Sequence, residues 1–214
     1  MRYKCVIFDW DGTVMDSVPK IVNTIHLAAE SCGIAPISNE AAKSIIGLSL
    51  DKAILTLFPN HEDKLASLIA AYKYIYKHQD KTPAPLFEGA ETLLKQLHGS
   101  GIKVAVATGK SRIGLDRLMA ESGLGDIFVT TRTACEAESK PHPDMLLQIL
   151  AELNVEATEA VMIGDTIIDM NLAKNAGIDA IGVTMGVATR EQLSQTSAAH
   201  ICDNYHDLSN LLLA

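Results

Sequence analysis

The stretch Lys4–Asp16, KCVIFDWDGTVMD, decides how the rest of the chain is read. Four strand-favouring residues, Cys5, Val6, Ile7 and Phe8, run without interruption into Asp9, and a second carboxylate follows at Asp11, ahead of Gly12 and Thr13. A short unbroken apolar run ending in turn residues is the pattern of a strand buried in a parallel sheet. In open α/β sheets, ligands are met beyond the carboxyl ends of such strands. Two acids placed there are costly unless a cation accompanies them. An Asp-Gly turn with two solvated acids fits the same letters, so the downstream sequence has to decide.

Working outward, the pattern turns from strand to helix directly after Thr13. Ser17 is placed to cap a helix from Val18 to Cys32, stopped by Gly33. Further helices are expected at Asn39–Ile46, Asp51–Leu57 and Glu62–Gln79, and KTPAPL at 81–86 reads as a stiff extended connection. Beyond it, helices alternate with strands. Strands are expected at Ile102–Ala107, Ile127–Thr130, Ala160–Ile163, Asp179–Val183 and Ala199–Cys202, and helices at Gly89–His98, Ser111–Glu121, Pro143–Leu153, Asp169–Ala176, Arg190–Gln195 and His206–Leu212. This alternation implies an α/β fold, a parallel sheet with helices on both faces. Residues 1–14 and 84–214 would form the core, and 15–83 a helical domain inserted after the first strand.

Composition narrows the function. The 214 residues are 48% hydrophobic and 21% charged, with a net charge of −8, the make-up of a soluble globular protein. The acidic balance, with no Lys/Arg cluster, argues against nucleic acid as a partner. No leader and no apolar run of membrane-spanning length is apparent, so a cytoplasmic location is expected. Cys5, Cys32, Cys135 and Cys202 are far apart, and neither they nor the 7 histidines form a zinc or redox pattern. Oligomeric state is not legible.

Polar residues of related character recur at the strand ends: Asp9 and Asp11; Thr108, Gly109 and Lys110; Lys140, in the loop before Pro141; and Gly164 and Asp165, with Asp169 one helical turn on. In a parallel sheet these share one edge. Asp9, Asp11 and Asp165 offer the hard oxygens that Mg²⁺ prefers, and Asp169 is spaced to orient a ligand or reach the metal through water. Thr108 and the amides of Gly109 and Lys110 open a helix, where a phosphate is favoured. Lys140 supplies the positive charge that a phosphoryl dianion and a carboxylate nucleophile need in order to approach. The fragment GKS at 109–111 lacks the upstream glycine of a nucleotide-binding P-loop, where this chain has Val104.

Together, FDWDGT, VAVATGK, SKPHPD and VMIGDTIID resemble the four motifs of the haloacid dehalogenase superfamily, and the helical insert resembles the cap of its phosphoglycolate-phosphatase-like and β-phosphoglucomutase-like members. The resemblance covers essentially the whole chain. It implies a Rossmann-like core with a mobile helical cap, and Mg²⁺-dependent transfer of a phosphoryl group from a small phosphorylated metabolite through an aspartyl-phosphate. By the same resemblance Asp9 matches the nucleophile, and Asp11 the general acid/base, which also binds metal through its backbone carbonyl. Thr108 and Lys140 match phosphoryl-binding positions, Asp165 a metal ligand, and Asp169 the remaining acid of the site.

Asp11 favours phosphate esters over the dehalogenase and phosphonate-cleaving branches, which generally lack an acid there. The sugar-phosphate mutases are the nearer rival, with pyrophosphate a further possible substrate. The mutase cap typically has a histidine where this chain has Ile21 and a Lys-Gly-x-x-Arg stretch where it has Ile46–Leu50, so hydrolysis is the expectation. A non-catalytic receiver-type phosphoacceptor also combines acids, a threonine and a lysine, but it carries its acceptor after a later strand and has no inserted cap. Specificity is expected from cap residues 44–51 and the loop at 15–18.

Overall fold

The computed structural model describes residues 2–214; Met1, counted in the expected core, lies outside the described residues. The chain opens with β1 (Cys5–Phe8) and passes into α1 (Val18–Ser31), α2 (Asn39–Ser44), α3 (Leu50–Leu57) and α4 (Leu65–His78). It then runs through α5 (Ala90–Gly99), β2 (Lys103–Thr108), α6 (Arg112–Ser122), β3 (Thr130–Thr133), α7 (Asp144–Leu153) and β4 (Ala160–Gly164). The last elements are α8 (Ile167–Ala176), β5 (Asp179–Val183), α9 (Arg190–Ser194), β6 (His200–Cys202) and α10 (Tyr205–Leu213).

Among the described residues, 6 strands form one sheet in the order β3-β2-β1-β4-β5-β6. All pairings are parallel, with Phe8 level with Val106 on one side and Ile163 on the other. The period of two divides the strand side chains between faces. Val6, Phe8, Val104, Val106, Val161 and Ile163 pack under α5, α6 and α10. Cys5, Ile7, Ala105, Ala107 and Met162 pack under α7 and α8. Both faces are covered, which is why the strands read as apolar runs rather than alternations.

Helices α1–α4 bury a separate core, centred on Ile25, Ile54 and Leu68. Two strand-like connections run side by side between this bundle and the sheet: Asp16 N–H donates to the Pro85 carbonyl (2.8 Å) and Phe87 N–H to that of Val14 (3.1 Å). No helix among the described residues is long and apolar enough to cross a membrane.

Two sequence expectations are corrected. The strand expected at Ile127–Thr130 lies at Thr130–Thr133, and Gly125–Ile127 forms a 3₁₀ turn. Ile127 and Phe128 are apolar because they plug the core beneath α5, whereas the threonines pair with β2. The helix expected to start at Asp169 starts at Ile167, because Thr166 and Asp169 form a reciprocal capping box.

Candidate active site

The carboxyl ends of β1, β2 and β4 lie together at the centre of the sheet, and the sequence-predicted polar residues project from them. Asp9 follows β1, Thr108 ends β2, and Gly164 and Asp165 close β4. Lys140 arrives from the loop between β3 and α7. Asp9, Asp165 and Asp169 each present a carboxylate oxygen within 4.8 Å of the others. All three are buried, as are Thr108 and Lys140.

Lys140 Nζ lies 2.9 Å from Asp9 Oδ1 and 2.7 Å from Asp169 Oδ1. Asp9 Oδ1 also accepts the Trp10 N–H (2.7 Å). Asp169 Oδ2 takes the Thr166 hydroxyl and N–H (2.6 and 3.2 Å). Asp165 is held by the Thr13 hydroxyl (2.8 Å) and the Val187 N–H (2.8 Å). That leaves Asp9 Oδ2 buried with no hydrogen-bond partner among the described residues. The turn that carries Asp11 past this cluster needs glycine: Gly12 has φ +75°, and a Cβ there would stand 2.2 Å from Asp165 Oδ2.

Three buried carboxylates against one ammonium leave an excess of negative charge. Burial pushes the Asp9 carboxyl up to about 7; Lys140 opposes the rise, and the charges of Asp169 and Asp11 add to it. Asp165 is raised well above the usual carboxylate range by burial first and by Asp169 and Asp9 next. Burial alone would lower the Lys140 ammonium, but Asp169 and Asp9 more than offset it and hold it raised and charged. Proton retention by acids and an orphaned carboxylate oxygen are what a site shaped for a hard cation presents. The residues therefore fit a hard divalent cation.

Asp11 stands apart from the three clustered acids. Its Oδ1 accepts the Ser17 hydroxyl (2.5 Å) and lies 2.9 Å from Lys110 Nζ. Ser17 precedes α1 as expected but makes no side-chain cap bond; its hydroxyl serves Asp11 instead. Thr108 Oγ1 accepts the Lys110 N–H (3.3 Å) at the entry to α6. Burial alone would lower the Lys110 ammonium, but Asp11 and Tyr76 raise it on balance.

Above these groups lies a cavity of about 570 Å³, with Asp9, Asp11, Thr108, Gly109 and Lys110 on the sheet side. Ile21, Ile25, Ile46, Tyr72 and Tyr76 close it from the helical bundle. The loop at Gly47–Ser49 comes down onto the sheet: Ser49 N–H donates to Ser139 Oγ (2.9 Å), and a Cβ on Gly109 would meet the Leu48 carbonyl oxygen at 2.3 Å. Lys43 and Lys52 are exposed.

Sequence reasoning overlooked several of these groups. Thr13 and Thr166 stand inside the quoted motifs, beside the acids they hold, and were legible as neighbours. The ammonium of Lys110, read only for its amide, and the phenol of Tyr76, in an ordinary amphipathic helix, carried no signal of their own.

Known proteins resemble this chain in sequence and in fold. A protein named probable phosphatase IndB, from Dickeya dadantii, is 33% identical over 208 residues, covering 95% of this chain and 90% of the relative. A phosphoglycolate phosphatase of Neisseria meningitidis is 31% identical over 91% of this chain and 86% of its own length. The crystal structure of a hydrolase from Pseudomonas syringae superposes with a TM-score of 0.87 at 24% identity, covering 98% of this chain and 97% of that one, a likeness of fold. Residues 6–183 match the family described as haloacid dehalogenase-like hydrolase, and the chain is an enzyme that belongs to that family.

Proposed function

We propose that the protein is a Mg²⁺-dependent phosphatase that hydrolyses a small phosphate monoester through a phosphoaspartate on Asp9. The observation that carries this reading is the state of Asp9: it is buried at a strand end, fixed through one oxygen by Lys140 and the Trp10 amide, and unpartnered at the other. A carboxylate held so rigidly is oriented for attack rather than for solvation. The names of the relatives, phosphatase and phosphoglycolate phosphatase, support the same class.

The phosphoryl group would sit between Asp9, Lys140, the Thr108 hydroxyl and the amides that open α6. Asp9 attacks phosphorus while the ester P–O bond breaks, and Asp11, in its protonated form, gives its proton to the departing oxygen. The ionised Asp11 then takes a proton from the water that cleaves the phosphoaspartate, so Asp9 and the acid are both regenerated. Lys140 stays charged throughout and offsets the charge on the phosphoryl oxygens and on Asp9. Mg²⁺ bound by Asp9, Asp165 and the Asp11 backbone carbonyl, with Asp169 supporting it, would neutralise negative charge that otherwise keeps nucleophile and phosphate apart. Residues 15–83 act as a lid that excludes water during turnover. Phosphoglycolate leads the substrates to be tried, through the relatives' names alone.

p-Nitrophenyl phosphate tests the chemistry. Turnover is expected with Mg²⁺, is lost with EDTA, and falls by at least about a thousandfold in Asp9→Asn with the fold intact. An Asp9→Asn protein as active as the wild type would sink the assignment.

A further inference from the structure

Charge and apolar surface are sorted to opposite sides of the cavity above Asp9. Asp9, Asp11, Thr108 and Lys110 gather on the sheet side, where the phosphoryl group is to be held. The bundle side is built from Ile21 and Ile25 on α1, Ile46 and Leu48 in the loop after α2, Ile54 on α3 and Tyr72 on α4. Tyr72 lies 5.8 Å from Tyr76, ring to ring, with the planes inclined by 29°. Tyr76 in turn faces Lys110 Nζ at 5.1 Å, so the aromatic pair runs from the charged side into the apolar one. Asp51, Lys73 and Lys77 also border the cavity, but they are exposed. Apolar surface continues outward at Ile113, in the first turn of α6, which lines the cavity and is 82% exposed.

These walls are wider and drier than a two-carbon leaving group needs. A volume of about 570 Å³ is in the range that encloses a ring-bearing ligand. With roughly 30 Å³ taken by each water, an ester whose leaving group has only a few heavy atoms would share the space with about ten waters. Isoleucine side chains offer those waters no hydrogen bond. A sugar would bring hydroxyls that the same wall buries unpaired. An apolar ring displaces the water and strands no polar atom. The cavity is thus charged at one end and apolar at the other, and a matching substrate is divided in the same way.

We propose that the bundle wall is a hydrophobic leaving-group subsite, and that the substrate is the phosphate monoester of an alcohol carrying an apolar ring. The proposal rests on the phosphatase reading above and names the leaving group that reading leaves open, and it departs from the two-carbon acid in the relatives' names.

The test compares kcat/KM of the full chain, with Mg²⁺, on benzyl phosphate, ethyl phosphate, glucose 6-phosphate, 2-phosphoglycolate and p-nitrophenyl phosphate. Benzyl and ethyl phosphate are both esters of primary alcohols, so their ratio reads the wall rather than the bond that breaks. The wild type should favour benzyl over ethyl phosphate by about thirtyfold or more, since each methylene buried on such a wall is worth about fourfold. It should favour benzyl phosphate over glucose 6-phosphate and 2-phosphoglycolate by about tenfold. Ile21→Asn, which puts an amide into the wall, should bring the benzyl-to-ethyl ratio below about fivefold, and Ile21→Leu should keep it above about tenfold. A melt shows whether each variant is folded; should Ile21→Asn fail to fold, Ile46→Asn in the loop reads the same ratio. Equal rates on benzyl and ethyl phosphate in the wild type overturn the subsite, as does a preference for 2-phosphoglycolate over benzyl phosphate or an unchanged ratio in a folded asparagine variant. In each case turnover of p-nitrophenyl phosphate leaves the phosphatase reading standing. No turnover of any ester overturns both.

Discussion

Asp9 concentrates the conflict between stability and function. Its folded-state pKa of about 7 lies above the usual carboxylate value because burial opposes the charged form. Below about pH 4, both folded and unfolded chains hold this proton. Between there and pH 7 the unfolded chain releases it and the folded chain keeps it, so this carboxyl's contribution to stability declines as pH rises and levels off above 7. In metal-free buffer Asp9→Asn, which removes the charge and keeps the shape, should therefore raise the melting temperature at pH 8, with the gain shrinking towards pH 5. Thermal melts of both proteins at the two pH values check this. A gain that grows on acidification would contradict the assigned burial. The same logic extends to a bound cation, which should be held more tightly as pH rises through about 7, where Asp9 no longer has to release a proton to receive it.

At the scale of elements, the site is an intersection of strand ends with one loop from the helical bundle. Gly109 marks the intersection. A side chain there would clash with the carbonyls of Leu48 and Gly47, both in the bundle's loop, rather than with the sheet. Gly109→Ala should therefore leave the sheet folded but hold the loop away. We expect KM to rise by about tenfold and kcat to fall, from misplacement of the order of an ångström, with little change in thermal midpoint. Steady-state kinetics beside a melt check it, and unchanged kinetics would mean the contact is not needed for turnover. The strand ends carrying Asp9, Thr108 and Asp165 were readable because buried parallel strands end abruptly in polar residues. The contact at Gly109 was not, since it joins residues about sixty positions apart through backbone atoms that leave no trace in side-chain pattern. β3 was misplaced for a related reason: hydrophobicity reports burial, and at a sheet edge the buried plug at Ile127 and Phe128 is not the paired strand.

For the whole molecule, three cores matter more than one outline. The two faces of the sheet each have a packed core, while α1–α4 bury their own around Leu68. A unit with its own core can move without unfolding. The links at 15–17 and 80–87 run side by side, joined by backbone hydrogen bonds. The change of period after Thr13 and the proline pair at 83 and 85 set off a helical insert in the sequence, but nothing in the pattern marks the points where the bundle rests on the sheet. Ser49 is such a point, its amide bonded to Ser139 across the cavity mouth. If the bundle closes on the site as proposed, that amide reports it. Adding Mg²⁺ with orthovanadate, which mimics a phosphoryl group in transfer, should slow hydrogen exchange at residues 47–49 and near Tyr76. Strands β1, β2 and β4, already protected in the core, should change little. Exchange measured by mass spectrometry with and without the ligands decides it. Protection spread evenly over sheet and bundle would mean that ligand tightens the fold as a whole, and unchanged exchange at Ser49 would mean that the loop does not close on the site at all.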